Sequence, residues 1–195
     1  MSNNANYVSV GKPAANAAIF WAPKGTSLPT TASATLNSAF VCLGYASDDG
    51  VTNTKSRETT EIKAWGGDVV ASPQTGKTDQ LKLKLIESLN KDVLSVTHGS
   101  ANVSGTLESG LTIHENSKEL DHGCWVIDTL LTGNAMKRIV VADGKTTEIG
   151  DVVYKDDEVI GYDITVTCYP SSTLNGDTHV EYITGPTGAT GATGA

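Results

Sequence analysis

The chain has 195 residues, a formal net charge of -8 and hydrophobic residues at 38% of its positions. This length and apolar content are enough for one sizeable domain with a buried core. The acidic surplus argues against a protein that binds nucleic acid by neutralising phosphates, because such proteins concentrate Lys and Arg. No stretch approaches the ~20 consecutive apolar residues that span a bilayer. We therefore expect one domain with a short tail.

The N-terminal segment MSNNANYVSV lacks the basic run and apolar core of a signal peptide. This predicts a protein that is kept in the cytoplasm or released by lysis. The three cysteines, Cys42, Cys124 and Cys168, are odd in number, far apart and flanked by apolar residues. We interpret them as small buried hydrophobic residues rather than as disulfide partners or metal ligands.

Segments rich in β-branched and aromatic residues recur along the chain and predict strands. Apolar and polar residues alternate strictly in residues 78–86 and 164–169, which is typical of half-buried strands. The other predicted strands are residues 17–21, 40–45, 125–131, 137–141, 152–155 and 180–183. Turn-forming sequences separate them, at residues 48–50, 66–68, 143–144 and 175–177. Together these patterns predict a mainly β, mostly antiparallel fold.

Residues 51–86 form a long, polar, threonine-rich segment with a predicted reversal at Gly66-Gly67. They predict an extended hairpin arm whose tip region carries little apolar surface. A lone hairpin is marginally stable in water and leaves the hydrogen-bonding groups of its edges unpaired. We therefore expect the arm to find partners in another subunit.

Residues 88–99 interrupt the β pattern. Ser88 can cap a helix, Leu89, Val93 and Val96 recur at helical spacing, and Gly99 can end it. The spacing predicts one helix of about three turns that covers apolar sheet surface.

The sequence contains no strong motif for nucleotide binding or catalysis. Gly76-Lys77-Thr78 resembles the end of a phosphate-binding loop, but Ala71 stands where that motif requires its first glycine, and a strand-like sequence follows. No nucleophile-elbow pattern is present. We therefore predict a protein without catalytic residues or cofactors.

Metal binding is equally unsupported by the sequence. The four histidines, which we interpret as surface or hydrogen-bonded residues, do not match zinc spacings: His98, His114, His122 and His179. Residues 156–158 are acidic but lack the glycine and alternating oxygen ligands of a calcium loop, so they predict a solvated turn.

Four stretches, in this order, resemble the major tail protein, or tail tube protein, of long-tailed, non-contractile bacteriophages (siphophage type): VSVGKPAANAAIFWAPKGTSLPT, FVCLGYASDDGVTNTKSRETTEIKAWGGDVV, HENSKELDHGCWVID and KTTEIGDVVYKDDEVIGYDITVTCYP. The resemblance covers nearly all of residues 7–183, and residues 49–67 are its most specific part. It implies a β-sandwich or barrel with one flanking α-helix and a long hairpin arm, formed by residues 1–183.

The resemblance also implies a function, that of a structural virion protein rather than an enzyme. Its copies would form hexameric rings, assembled in the host bacterial cytoplasm and stacked into the tail tube through which double-stranded DNA is ejected. Implied partners are the chain itself and the tape-measure, tail terminator and baseplate or distal tail proteins, with no membrane. The N-terminus and residues 22–37 and 97–109 have few apolar anchors, and we expect them to be mobile in a monomer and to order against adjacent rings.

Under this resemblance, one face of the arm lines the lumen and the other packs on the outer sheet. The residues expected to line the lumen are Arg57, Glu58, Thr60, Glu61, Lys63, Lys82 and Lys84. The residues expected to pack outward are Ile62, Val70, Leu81, Leu83 and Leu85. A neutral or electronegative lumen suits DNA passage, because attraction to phosphates would hold the DNA in place.

Residues 184–195, TGPTGATGATGA, carry glycine at every third position: Gly185, Gly188, Gly191 and Gly194. Collagen triple helices require this spacing. The segment is short and has one proline, so we expect a flexible collagen-like tail on the exterior of the tube. Its end in mid-pattern leaves open a longer form. Two other interpretations stay open: a host-surface-binding or decoration tail protein trimerised through this tail, and the tube of a contractile tail or secretion system.

Overall fold

Thirteen strands and one α-helix form within residues 3–14 and 18–185, which are the residues that the computed structural model describes. The helix, α1, is Lys91–His98. The strands are β1 Lys12–Pro13, β2 Ile19–Pro23, β3 Val41–Cys42, β4 Ala46–Thr59, β5 Ile62–Lys63, β6 Val69–Ala71, β7 Gln74–Leu85, β8 Val103–Thr106, β9 Gly110–Ile113, β10 His122–Leu130, β11 Met136–Ile149, β12 Tyr162–Cys168 and β13 Val180–Thr184.

Nine of these strands form one sheet in the order β3-β2-β10-β11-β12-β7-β4, with β1 beside the end of β10 and β13 beside the first half of β11. Every pairing in the sheet is antiparallel. Two separate pairs, β5-β6 and β8-β9, complete the described strands. The prediction of a mainly β, antiparallel fold with one helix is confirmed.

The two halves of the sheet share one hydrophobic core. Leu83 of β7 and Ile164 of β12 belong to the same buried cluster as Ile19 of β2 and Trp125 of β10, which lie toward the other end of the strand order. The sheet therefore curls, so that both halves turn apolar side chains inward. Helix α1 adds its buried face, Val93, Leu94 and Val96, to this cluster.

The helix is shorter than its sequence pattern predicts. Asn90, not Ser88, caps it, since the Asn90 side chain accepts a hydrogen bond from the Asp92 N–H at 3.0 Å. Leu89 therefore precedes the helix and is exposed. Gly99 ends it as predicted, with φ of 93° and its N–H donating to the Ser95 carbonyl at 2.9 Å.

Asp143-Gly144, predicted as a turn, instead lies inside the 14-residue strand β11. A Cβ on Gly144 would come within 2.6 Å of Cδ1 of the buried Trp125 indole. Glycine is therefore required here for close packing against the indole rather than for chain reversal. The Asp143 carboxylate accepts a hydrogen bond from Lys24 Nζ at 2.6 Å and lies 2.5 Å from His122 Nδ1.

Two predicted strands are also wrong in whole or part. Residues 152–155 form no strand, because the β11-β12 ladder ends near Ile149 and the Gly150 N–H donates to the Asp163 carbonyl at the mouth of the connection. Residues 153 and 154 are exposed in that connection, and the acidic residues 156–158 form the predicted solvated bend. Of residues 40–45, only Val41–Cys42 form a strand.

The loop of residues 22–37 is anchored, contrary to prediction. Arg138 and Asp128 form a buried bidentate ion pair at 2.6 and 2.7 Å. Nη1 of Arg138 also donates to the carbonyls of Ala34 at 2.6 Å and Thr31 at 3.3 Å. Ala32 is buried beside them. Residues 97–109 are likewise anchored, since they include part of α1 and the buried Val103 of β8.

Cys124 and Cys168 are buried and unbridged, as predicted, whereas Cys42 is partly exposed. Burial raises the pKa of the Cys124 thiol and, together with nearby Asp79, raises the pKa of Cys168 to about 12. These thiols stay protonated and behave as small core residues. No helix within the described residues is long and apolar enough to cross a membrane.

Candidate assembly surface

The predicted hairpin arm is present and projects from the body. Strands β4 and β7 pair from Val51 opposite Leu83 out to Thr59 opposite Gln74, and the chain reverses at residues 65–67. Residues 54–75 are all exposed. The ten residues from Ser56 to Trp65 span up to about 30 Å in extended form. The arm therefore reaches well beyond the core that supports its base.

The outer edge of β4 is open. Among the described strands β4 pairs only with β7, so the other side of this 14-residue strand has no strand partner within the described residues. The register shifts between Ala46 and Val51, where Gly50 has φ of 70°. An open strand edge is a template for pairing with another strand. Strand β4 therefore presents a long backbone surface to a neighbouring chain.

The outward face of β4, β7 and β12 is polar and rich in hydroxyl groups, and we call it the polar face. Side chains in register across these strands form two rows, Thr52, Lys82 and Thr165, then Thr54, Gln80 and Thr167. The rows are hydrogen-bonded, since Gln80 Nε2 donates to Thr167 Oγ1 at 3.2 Å and the Thr167 and Thr147 hydroxyls lie 2.8 Å apart. The interleaved residues Leu81, Leu83 and Leu85 are buried in the core.

The structure divides the residues expected to line a lumen. Lys82 and Lys84 lie on the polar face, and alternation along β4 places Glu58 on the same side as Thr52 and Thr54. Arg57 lies on the opposite side of β4, in the groove beside His179. Thr60, Glu61 and Lys63 are exposed near the arm tip. Because neighbouring residues of a strand face opposite ways, Arg57 and Glu58 do not contribute to one face.

The residues expected to pack outward divide as well. Leu81, Leu83 and Leu85 are buried. Ile62 and Val70 do not pack against the sheet, being 50% and 63% exposed. They lie on the arm tip, beyond the reach of the chain's own core. Of the collagen-like glycines, Gly185 follows β13, whereas Gly188, Gly191 and Gly194 lie outside the described residues.

An ionic groove of about 280 Å³ joins the base of the arm to β13. The buried Asp79 carboxylate lies 2.6 Å from His179 Nδ1 and accepts a hydrogen bond from Thr178 at 2.6 Å. Lys77 donates to the Thr178 hydroxyl at 3.1 Å. These contacts hold the arm where no backbone ladder connects β7 to β13. Sequence reasoning missed them because Asp79 and His179 are 100 positions apart.

Glu181 of β13 adds a second link on the same side. Its carboxylate lies 2.8 Å from Lys137 Nζ and 3.5 Å from Lys55 Nζ. The hydrogen bond from Lys137 outweighs burial and, with the charge of Lys55, holds the pKa of Glu181 below its usual range. The arm base is therefore fixed by charge pairs and hydrogen bonds rather than by apolar packing.

The other histidines fit the surface or hydrogen-bonded interpretation, with His114 exposed. His98 pairs with Glu115 and makes an edge contact with the Tyr162 ring at 5.5 Å. His122 contacts Asp143. Within the part of the chain that the structure describes, no three His, Cys, Asp or Glu side chains are grouped to hold a metal ion.

A curled antiparallel sheet with one covering helix, an open edge and a projecting arm defines a β-structural protein with surfaces suited to joining other chains. The model of the phage tail tube protein family matches residues 1–186. The chain belongs to this family, which confirms the resemblance to a phage tail tube protein. It is therefore a structural phage tail protein and a virion component, and the family is not an enzyme family.

Among the solved structures that match the chain is the cap of the anti-feeding prophage, a tube-terminating cap determined by cryo-electron microscopy. The two share 12% sequence identity with a TM-score of 0.40, over 94% of this chain and 100% of that one. No curated protein matches the sequence.

Proposed function

We propose that the chain forms hexameric rings that stack into the tube of a long, non-contractile tail, and that double-stranded DNA passes through the tube during ejection. The open edge of β4 is the observation that carries this proposal. The outer N–H and C=O groups of this 14-residue strand have no partner among the described strands, and its only apolar side chains are Ala46 and Val51. Pairing this edge with the next copy closes a barrel and removes the edge from solvent.

The polar face supplies the lumen lining in this proposal. It combines threonine hydroxyls with Gln80, Lys82 and Lys84, and Lys84 lies 3.4 Å from Glu158. Mixed charge on a surface of hydroxyls releases few counterions when DNA approaches, so DNA slides rather than binds. The net charge of -8 acts in the same direction. Glu58 extends this face along the arm, whereas Arg57 lies on the opposite side of β4 and donates to Gln74 Oε1 at 2.8 Å.

Residues 1–183 form the tube domain and residues 184–195 an exterior tail in this proposal. Thr184 is the last residue of β13 and pairs with Met136, so the tail departs from the β11 side of the sheet. The partners that fit the role are copies of the chain, a tape-measure protein inside the tube, and terminator and distal tail proteins at its ends.

Electron microscopy of the purified protein tests the proposal directly. We expect sixfold rings and tubes, with Thr54 and Lys82 on the inner wall in a reconstruction. A soluble trimer with glycan affinity would instead support a decoration protein, and a co-purifying sheath would support a contractile tube. Glu58 and Lys82 on the outer wall would contradict the assignment of the polar face.

DNA passage is tested in virions that carry Thr54→Lys, with Thr54→Ser as the matched control. A basic row on the polar face attracts phosphates, so DNA ejection should slow, and the slowing should weaken as salt increases. Unchanged ejection at low salt would contradict a lumen position for this face.

A further inference from the structure

The tip of the arm is apolar, unlike the rest of the arm. Trp65, at the reversal, is fully exposed, and Ile62, Val69 and Val70 beside it are each at least half exposed. We call these four residues the apolar tip. Single exposed hydrophobic residues are ordinary, but four together on a projecting hairpin mark an interaction site.

The tip is held in a formed turn. The Ala64 N–H donates to the Asp68 carbonyl at 2.8 Å, and the Gly67 N–H donates to the Ala64 carbonyl at 3.0 Å. Gly66 and Gly67 have φ of 123° and 102°, which glycine adopts without strain. A preorganised turn presents the indole to a partner with little ordering cost. The chain's own body does not cover it, since all of residues 54–75 are exposed.

The same chain carries a groove of about 320 Å³ that fits an aromatic side chain. It lies between residues 25–30, the 3-10 helix Ser172–Leu174 and β13. Leu28, Pro29, Leu174 and Tyr182 give it apolar walls, and Thr26 and Ser27 supply hydroxyl groups. The ionic groove at the arm base is lined mainly by charges and does not suit an indole.

We propose that the apolar tip of one copy seats in this groove of a second copy, an inference that rests on the proposed assembly into rings and tubes. The walls cover the indole faces, and the rim hydroxyls accept the hydrogen bond that a buried indole N–H requires. The tip and the groove occupy different places on one chain, so each copy can give its tip to one neighbour and receive the tip of another, head-to-tail. Such contacts build rings or open filaments rather than closed dimers, as a tube requires.

Tryptophan fluorescence tests whether the tip becomes covered. Trp21 and Trp125 give a background that is measured in the Trp65→Phe variant. The Trp65 signal should be strongly quenched by acrylamide in the monomer, and it should shift to the blue and lose most of that quenching in tubes. Tubes in which Trp65 stays fully quenchable would overturn the inference and leave the tube function intact. If the wild-type chain forms no assembly, both proposals fail.

Crosslinking identifies the groove. With p-benzoylphenylalanine in place of Trp65, mass spectrometry of irradiated tubes should find covalent crosslinks to residues 25–30 or 172–174 of another copy.

Substitutions in the tip and the groove test the contact by tube yield. Trp65→Ala and the groove-filling Ser27→Trp should each reduce tube yield about tenfold or more while the monomer's circular dichroism is unchanged. Leu107→Ala, at another exposed hairpin turn, is the matched control and should assemble normally. Crosslinks to a different surface of the neighbouring copy, or normal tube assembly of Trp65→Ala, would overturn the proposal.

Discussion

The body and the arm of this protein use the same kind of strand in opposite ways. In the body, Trp125 is 1% exposed and packs over Gly144, whereas Trp65 on the arm is fully exposed and touches no core. Strand β7 belongs to both regions, with leucines buried near its end and polar, exposed residues toward the arm tip. The body is therefore stabilised by its own core, whereas the exposed side chains and backbone groups of the arm are available to contact other chains.

The largest effect on the free energy of unfolding should come from Trp125→Ala. Removing a buried indole creates a cavity between β10 and β11 and should cost about 3–5 kcal/mol. Urea unfolding of the unassembled protein measures this as a lower midpoint at unchanged slope. A cost near zero would mean that the body is not the stable unit that the core indicates.

Arg138→Leu should have the next largest effect and lower the free energy of unfolding by about 3 kcal/mol, because it leaves Asp128 charged and buried without its partner. It also removes the donors to Thr31 and Ala34, so hydrogen exchange should accelerate in residues 30–36. The double variant Asp128→Leu/Arg138→Leu should recover part of the stability but not the protection of that loop. Unchanged exchange in Arg138→Leu would refute the anchoring role.

Asp143 should give the body a dependence on pH. Burial opposes ionisation, but the hydrogen bonds from Lys24 and His122 outweigh it and hold the pKa of Asp143 below its usual range. A lowered folded pKa stabilises the fold above the unfolded pKa of about 3.9 and loses that effect as the pH falls toward the folded pKa. Asp143→Asn should cost about 1.5 kcal/mol at pH 7 and flatten the acid decline. Parallel unfolding curves for both proteins from pH 7 to 3 would contradict this.

Loss of the N-terminal cap of α1 should have a smaller effect on the free energy of unfolding. Asn90→Ala removes the acceptor for the Asp92 N–H and should cost about 1 kcal/mol, with Asn90→Ser as the control that keeps a capping oxygen. Thermal unfolding by circular dichroism measures both variants. Equal melting temperatures for Ala and Ser at this position would show that the cap contributes nothing.

The smallest effect should come from Trp65→Ala, which should change the monomer's unfolding free energy by less than about 0.5 kcal/mol. The contrast between this small change in unfolding free energy and the large one expected for Trp125→Ala is the clearest test of the difference between arm and body. A cost above about 1 kcal/mol would show that the arm folds back onto its own body.

Local patterns predicted the strands whose two faces differ. The alternation in residues 78–86 and 164–169 predicted β7 and β12 as half-buried strands, and the polar composition of residues 51–86 predicted the arm. These patterns are visible in the sequence because successive side chains of a strand point to opposite faces, so neighbouring residues reveal which face is buried. The same reasoning could not assign the facing of Arg57 and Glu58, since that depends on register and bulges.

Contacts between distant residues account for what the sequence did not predict. Asp143-Gly144 has turn-forming composition, yet its conformation is determined by Trp125, Lys24 and His122. Residues 22–37 are polar enough to suggest mobility, yet Arg138, more than 100 positions away, binds their carbonyls. The apolar tip contradicts the prediction that the tip region of the arm carries little apolar surface, because its four residues come together only when the hairpin reverses.

The composition of β4 has a consequence for how subunits accumulate before they are used. Hydroxyl and charged side chains occupy both of its faces, so two such strands offer no dry interface to a stacked sheet of the fibrillar kind. The irregularity between Ala46 and Val51 also bends the edge away from a flat ribbon. Unassembled copies of the chain, although each carries an open β4 edge, are therefore disfavoured from stacking into amyloid fibrils.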